Sequence, residues 1–319
     1  MPAADLLLPD ATGIARAAAL LRAGHLVALP SETVYGLAAD ATQDAAVAGI
    51  YTAKGRPEFN PLIVHLPDLA SAMAIADFSG PALALARAFW PGPMTLVLPL
   101  KPGHGLSPRV TAGLSTVAIR LPAHPVMQAV LRATGRPLAA PSANPSGQIS
   151  ATTAEHVRAG LGHRIAAILD GGPTMVGVES TIIAPSDTGT RLLREGGLPR
   201  EAIEPVTGPL IADTTPGARI EAPGQLASHY APHTPLHLGG APRQGEIVIG
   251  FGANTPGDLT LSASGDLTEA ANRLFAILHA ADALAQARHA PAIRIADIPD
   301  TGLGRAINDR LRRAAAPRD

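Results

Sequence analysis

The chain of 319 residues contains no cysteine, which excludes disulfides, thiolate nucleophiles and cysteine zinc sites and is compatible with a reducing cytosol. Lysine is almost missing too, with only Lys54 and Lys101 against 23 arginines. Aromatic residues make up 3% of the chain, few for stacking on bases. A net charge of −1 leaves no surplus of cations for indiscriminate polyanion binding. No stretch reaches the ~18 apolar residues that a membrane span needs, and the start, MPAADLLLPDATG, lacks a basic n-region followed by an apolar run. The expectation is a soluble, cytoplasmic protein with no membrane partner. The generic nucleotide signatures, GxxxxGK[ST] and GxGxxG at a strand-to-helix turn, are also missing.

At this length two domains are expected, and 46% hydrophobic residues are ample for burial. Apolar, branched runs of strand length recur at 26–30, 62–66, 95–100, 116–122, 137–141, 165–169 and 180–185, most of them bounded by Gly or Pro. Helix candidates lie between them, near 12–23, 43–53, 68–76, 80–89, 125–134 and 152–160. The first unit therefore reads as α/β with a largely buried sheet. Residues 205–242 hold seven prolines and five glycines without a sustained period, the composition of a linker. Strand-like PLHLG and EIVIGFG follow, then a helix at about 268–288, strand-like AIRIADI, and a last helix carrying Leu303, Ile307 and Leu311. Together they predict a second, small α/β domain.

Candidate chemistry gathers at strand ends of the first unit, where sheets of this kind place ligands. The segment KGRPEFNPLIVH sets Lys54 beside Arg56, with Asn60 and His65 close behind and Pro57 and Pro61 stiffening the loop. A chain that writes nearly every cation as arginine yet keeps this lysine calls for a compact ammonium next to a planar fork, a pair suited to oligophosphate. Solvated loop charge is the plainer reading of the pair. His65, alone in an apolar strand, is on burial statistics more often a core residue than a catalyst. Arg120 lies in the apolar run STVAIRLP and needs an anion, either a structural carboxylate or one belonging to a substrate.

PSETVYGL at 30–37 offers Ser31, Glu32, Thr33 and Tyr35, with a helix or turn cap as the other use of its hydroxyls. APSANPSGQIS at 140–150 is a hydroxyl- and amide-rich turn, suited to phosphate or ribose and equally to an ordinary turn. GVESTII and LLREG bring Ser180, Thr181 and Arg194 to the edges of two predicted strands. His229, His233 and His237 recur at four-residue spacing, but Pro232 and Pro235 break the helix that would gather them, so no metal site is expected.

The motifs P-[ST]-E-T-V-Y-G-L, K-x-R-P-x-x-N-P-L with a following His, W-P-G-P-x-T at 90–95, V-x-I-R-x-P, S-A-N-x-S-G, E-S-T-I and L-R-x-G occur in this order. Each is weak and their sum is specific. The chain resembles the two-domain threonylcarbamoyl-AMP synthase family over nearly its whole length, with His229, Tyr230, Ala231 and Pro232 ending the linker of the longer form. The resemblance implies a YrdC-like twisted mixed-sheet α/β domain with a concave active-site groove at 1–208. It further implies a Pro/Gly-rich linker acting as a lid at 209–235 and a small Rossmann-like α/β domain at 236–319.

The implied reaction joins L-threonine, bicarbonate and ATP into threonylcarbamoyl-AMP and pyrophosphate, with magnesium accompanying the nucleotide. It is the first step of threonylcarbamoyladenosine formation next to the anticodon of tRNA. By the same resemblance Lys54, Arg56, Asn60, Thr116, Ser142, Asn144, Ser150 and Arg194 hold ATP. Lys54 and Arg56 are its catalytic cations on the phosphates, and Tyr230 closes over the site. Thr33, His65, Arg120, Ala140 and Ser180 shape the threonine site, Arg120 through its bidentate fork and Ala140 through its backbone. The implied partners are a downstream threonylcarbamoyl transferase complex and, weakly, tRNA. A non-catalytic binder of structured RNA is the rival reading, opposed by net charge and scarce aromatics. A hydrogenase-maturation carbamoyl transferase is opposed by the missing cysteine zinc motifs.

Overall fold

Among the residues described by a computed structural model, 3–212, 221–224 and 228–317, the chain forms two sheets. The larger is mixed and begins with β1 (Asp5–Leu7), β2 (Val27–Leu29), β3 (Gly36–Asp40), β4 (Ile63–His65), β5 (Met94–Pro99) and β6 (Thr116–Arg120). It continues with β7 (Leu138–Ala139), β8 (Ala167–Leu169), β9 (Thr181–Ser186), β10 (Gly189–Arg194) and β11 (Ile211–Ala212). Their spatial order is β1-β8-β2-β3-β7-β4-β6-β5-β9-β10-β11. The smaller sheet is parallel throughout, with β12 (Leu236–Leu238), β13 (Ile247–Gly250), β14 (Leu259–Thr260) and β15 (Ile293–Ile295) in the order β12-β15-β13-β14. The helices Leu267–Arg288 and Leu303–Ala315 belong to this second unit.

Each apolar run read as a strand contains one, and the mixed α/β sheet with a smaller second domain is the expected architecture. β1, β3, β11 and β14 have no counterpart among the apolar runs, and of these β3 alone lies inside a sheet and not at an edge. Its residues, GLAAD, have neither β-branched side chains nor alternation, yet all five are buried because β2 and β7 pair with it on either side. Asp40 tolerates that burial by accepting from the Thr42 amide at 2.9 Å and from Arg136 at 2.7 Å. The linker expected at 209–235 falls partly on 213–220 and 225–227, outside the described residues. At its start Ile211–Ala212 is a short strand that pairs with β10, a departure from the structureless reading.

Two local features aim the strand ends. β4 and β6 run parallel with His65 directly opposite Arg120, so both side chains leave the sheet on one face at its carboxyl edge. The pairing of β10 with β9 shifts register between Leu192 and Arg194, a bulge that redirects Arg194 at the end of its strand. The segment after β2 and the turn after β7 are laced together, Leu37 donating to the Pro141 carbonyl and Ala143 to that of Tyr35, each at 2.7 Å.

The second core does not stop at the domain edge. Val34, Ile149 and Val178 of the first unit, together with Tyr230, pack into the cluster formed by Leu274, Phe275 and Leu278 of the long helix. Among the described residues no helix is long and apolar enough to cross a membrane.

Candidate active site

Lys54 is the last residue of the helix Asp44–Lys54, which Gly55 stops in a left-handed conformation at φ 62°. Its Nζ donates to the carbonyl oxygens of Ser142 at 2.6 Å and Asn144 at 2.5 Å. Arg56 donates from Nε to the Asn60 carbonyl at 3.2 Å and from Nη2 to that of Pro61 at 2.9 Å. Arg194 donates from Nε and Nη2 to the Ser180 carbonyl at 3.1 and 2.8 Å, and from Nη1 to that of Pro223 at 3.2 Å. All three cations are buried, and none makes an ion pair among the described residues. Burial, with repulsion from Arg56, pushes Lys54 well below the usual lysine range. Burial likewise lowers Arg56 and Arg194 to about 10. Carbonyl dipoles offset only part of the cost of burying a charge, so the trio maintains a positive potential that an anion relieves.

Arg120 faces a different environment. Its Nη1 donates to the Thr33 hydroxyl at 2.9 Å and its Nε to the Gly92 carbonyl at 3.2 Å. Nη2 lies 2.7 Å from Oε1 of Glu32, an ion pair that lacks hydrogen-bond alignment and leaves Nη2 and both Glu32 oxygens without an aligned partner. Burial drives the Glu32 carboxyl up, but Arg120 overcomes this and holds it below its ordinary value. The anion that the sequence demands for Arg120 is thus Glu32, with donor capacity left over. Burial, with Arg120 beside it, lowers His65 to about 3, so the imidazole is neutral near pH 7, and its Nδ1 has no partner. Ser31 serves as a turn cap, donating to the Val34 carbonyl at 2.6 Å, while the neighbouring Thr33 hydroxyl turns to Arg120.

Both groups border one cavity of about 40 Å³. Of the expected site residues, Thr33, Arg56, His65, Arg120, Ala140, Ser142, Ser180, Arg194 and Tyr230 line it. Lys54 reaches the wall through Ser142, Asn60 touches Arg56, and Ser150 sits behind Glu179, whose Oε1 accepts its hydroxyl at 2.5 Å. Asn60 has both amide atoms buried without partners, as is the side-chain oxygen of Asn144. Thr116 begins β6, at the opposite end from Arg120, and is not part of the lining.

Sequence reasoning gave no place in the site to four residues here, although it named Glu32 and His229. Glu32 and Glu179 stood inside recognised motifs, and a carboxylate in an apolar segment is as informative as the Arg120 cation. His229 lines the cavity, whereas His233 and His237 turn away to Asp282 and Glu246, so the spaced histidines do not converge. Arg310 lies on the same helical stripe as Leu303, Ile307 and Leu311 and is fully buried, a signal that periodicity could have flagged. Tyr230 is buried at φ 63°, its ring 5.6 Å from Phe275.

A mixed sheet beside which Lys54 and Arg56 at a helix end and Arg194 at a strand end lie buried without ion pairs among the described residues, bordered by a segment leading into a smaller parallel-sheet domain, defines a two-domain α/β protein built around an anion-binding cleft. A family model described as "Telomere recombination", covering Sua5, YciO and YrdC, matches residues 19–196, and one described as "Threonylcarbamoyl-AMP synthase, C-terminal domain" matches residues 198–316. The chain belongs to the threonylcarbamoyl-AMP synthase family. It is 45% identical to the threonylcarbamoyl-AMP synthase of Bacillus subtilis, with 98% of this chain and 96% of that protein covered. It is 39% identical to that of Pyrococcus abyssi, with 95% and 94% covered. The crystal structure of P. abyssi Sua5 complexed with L-threonine superposes with a TM-score of 0.88 at 36% identity, covering 98% of this chain and 97% of that one.

Proposed function

We propose that the chain synthesises threonylcarbamoyl-AMP from L-threonine, bicarbonate and ATP, releasing pyrophosphate, and so supplies the first step of threonylcarbamoyladenosine formation in tRNA. The observation that carries this reading is the meeting of two unlike ends in one cavity. Lys54, Arg56 and Arg194, buried and with no direct ion pair among the described residues, suit a triphosphate. Arg120, with the hydroxyls of Thr33 and Ser180 nearby, suits the carboxylate and hydroxyl of a small amino acid. His65, held neutral, adds a ring nitrogen for hydrogen bonding without a competing charge.

In this reading the threonine amine loses its proton and adds to carbon dioxide derived from bicarbonate. The carbamate oxygen then attacks the α-phosphorus, and pyrophosphate leaves with the electron pair of the broken P–O bond. No protein nucleophile is needed, since positioning and electrostatic stabilisation supply the help, and Lys54 and Arg56 are its catalytic cations. Magnesium enters with ATP. The cavity would offer it hydroxyls and one carboxylate, Glu179, already engaged by Ser150 and Arg310, so the ion would be held mainly by phosphate and water oxygens and would neutralise charge on the phosphates.

A cavity of about 40 Å³ admits only a few waters at the ~10–15 Å³ each requires. Substrates therefore enter when the segment carrying Pro223, Gly224, His229 and Tyr230 moves aside, which is the behaviour of a lid that excludes water from a mixed anhydride. Hand-over to a threonylcarbamoyl transferase complex and weak contact with tRNA belong to the same reading. Purified protein with magnesium is expected to release pyrophosphate from ATP only when threonine and bicarbonate are both present. Equal release with serine, or with no amino acid, would remove the assignment.

A further inference from the structure

Among the described residues of the second domain that pack against the cavity wall, Arg310 is the charged one that binds a lining carboxylate. Arg310, on the helix Leu303–Ala315, is 0% exposed and donates from Nε to Oε2 of Glu179 at 2.8 Å. Its Nη1 donates to the Glu195 carbonyl at 2.9 Å and to Asp309 at 2.7 Å. The guanidinium carbon lies 5.2 Å from the centre of the Tyr230 ring. The other oxygen of Glu179 accepts from Ser150. One cation from the last helix thus holds Glu179 and Tyr230 directly, and Ser150 through Glu179.

We propose that Arg310 is a positioning residue for nucleotide binding, which neutralises Glu179 so that Lys54 and Arg194 stay open to phosphate, and which makes the second domain a working part of the site. This rests on the reaction proposed above. Glu179 lines the same cavity as Arg194 and acts electrostatically on both Arg194 and Lys54. Left unpaired in a low-dielectric wall, its carboxylate would turn to those cations and compete with the incoming anion. Arginine is the residue for the task because Nε engages the carboxylate and Nη1 the Glu195 carbonyl while the guanidinium lies over the Tyr230 ring, a combination an ammonium cannot provide.

The test uses the full chain and measures pyrophosphate release with ATP and threonine varied in turn, for the native protein, Arg310→Met, Glu179→Gln and the double variant. Arg310→Met is expected to raise KM for ATP roughly tenfold while KM for threonine changes far less. Glu179→Gln in that background removes the orphaned charge and is expected to restore most of the loss. A loss shared equally by ATP and threonine, or no rescue by Glu179→Gln, overturns the proposal. Should Arg310→Met fail to fold, Arg310→Lys carries the comparison. A several-fold rise in KM for ATP alone supports the proposal, and an equal rise in both or none overturns it. Calorimetric titration with ATP, without threonine, separates the two readings. Native protein that binds ATP in an Arg310-dependent way yet releases no threonine-dependent pyrophosphate defeats the reaction and keeps the role of Arg310. Normal turnover with ATP affinity unchanged in the Arg310 variants defeats that role alone.

Discussion

Lys54 is poorly accommodated as a cation until an anion arrives. Burial and Arg56 depress its proton affinity in the free protein, and a bound triphosphate restores it, so binding takes up a proton between the two titration points and weakens as pH rises. Calorimetry in buffers of unlike ionisation enthalpy is expected to show this uptake below the ordinary lysine range, and Lys54→Met is expected to abolish it. Lys54→Arg should keep the fold but lower turnover about tenfold or more, because two carbonyls converge on a single nitrogen where a planar fork does not fit. Kinetics compared with the melting temperature checks this, and unchanged turnover would count against a special role for the ammonium. Lys54 and Arg120 were legible in the sequence for physical reasons, one as a rare lysine and the other as a charge in an apolar run. Arg310 obeys the second rule on a helical stripe, but its partner Glu179 is 131 positions away and no local pattern names it.

Among the elements, the strand ends do the positioning, and their accuracy depends on backbone contacts that composition does not reveal. A Cβ on Gly196 would lie 2.3 Å from the carbonyl carbon of Ser180 and the amide nitrogen of Thr181, with neither able to yield as a side chain could. Gly196→Ala is therefore expected to destabilise the protein by about 2 kcal/mol or more and to raise KM for threonine by shifting Ser180. Denaturant unfolding read beside substrate kinetics tests it, and an unperturbed midpoint would refute the close approach. The apolar runs that became strands were readable because burial on both faces favours branched residues. β3 was not, since its small residues are buried by pairing with β2 and β7 and carry no periodic signature. The bulge before Arg194 is equally silent, as register is a property of two strands together.

At the scale of the whole molecule, the two sheets share a core. Val34, Ile149 and Val178 from the first unit are at most 6% exposed and pack with Phe275 and its neighbours in the second. Truncation after residue 208 strips that cover and also removes Tyr230 and Arg310. The expected product is a first domain that binds hydrophobic dyes, melts at a lower temperature than the full chain and loses threonine-dependent pyrophosphate release. Undiminished activity would mean that the second domain and its connecting segment are dispensable. The shared cluster also bears on how such a chain can be altered by exchange of parts. Grafting the second domain of a relative onto this first unit would bring a foreign counterpart to Phe275 against Val34, Ile149 and Val178, and a foreign counterpart to Arg310 against Glu179. A working hybrid must carry those contacts across as a set, so the boundary at which the chain can be cut and rejoined runs through the packing of side chains and not along the proline-rich connection.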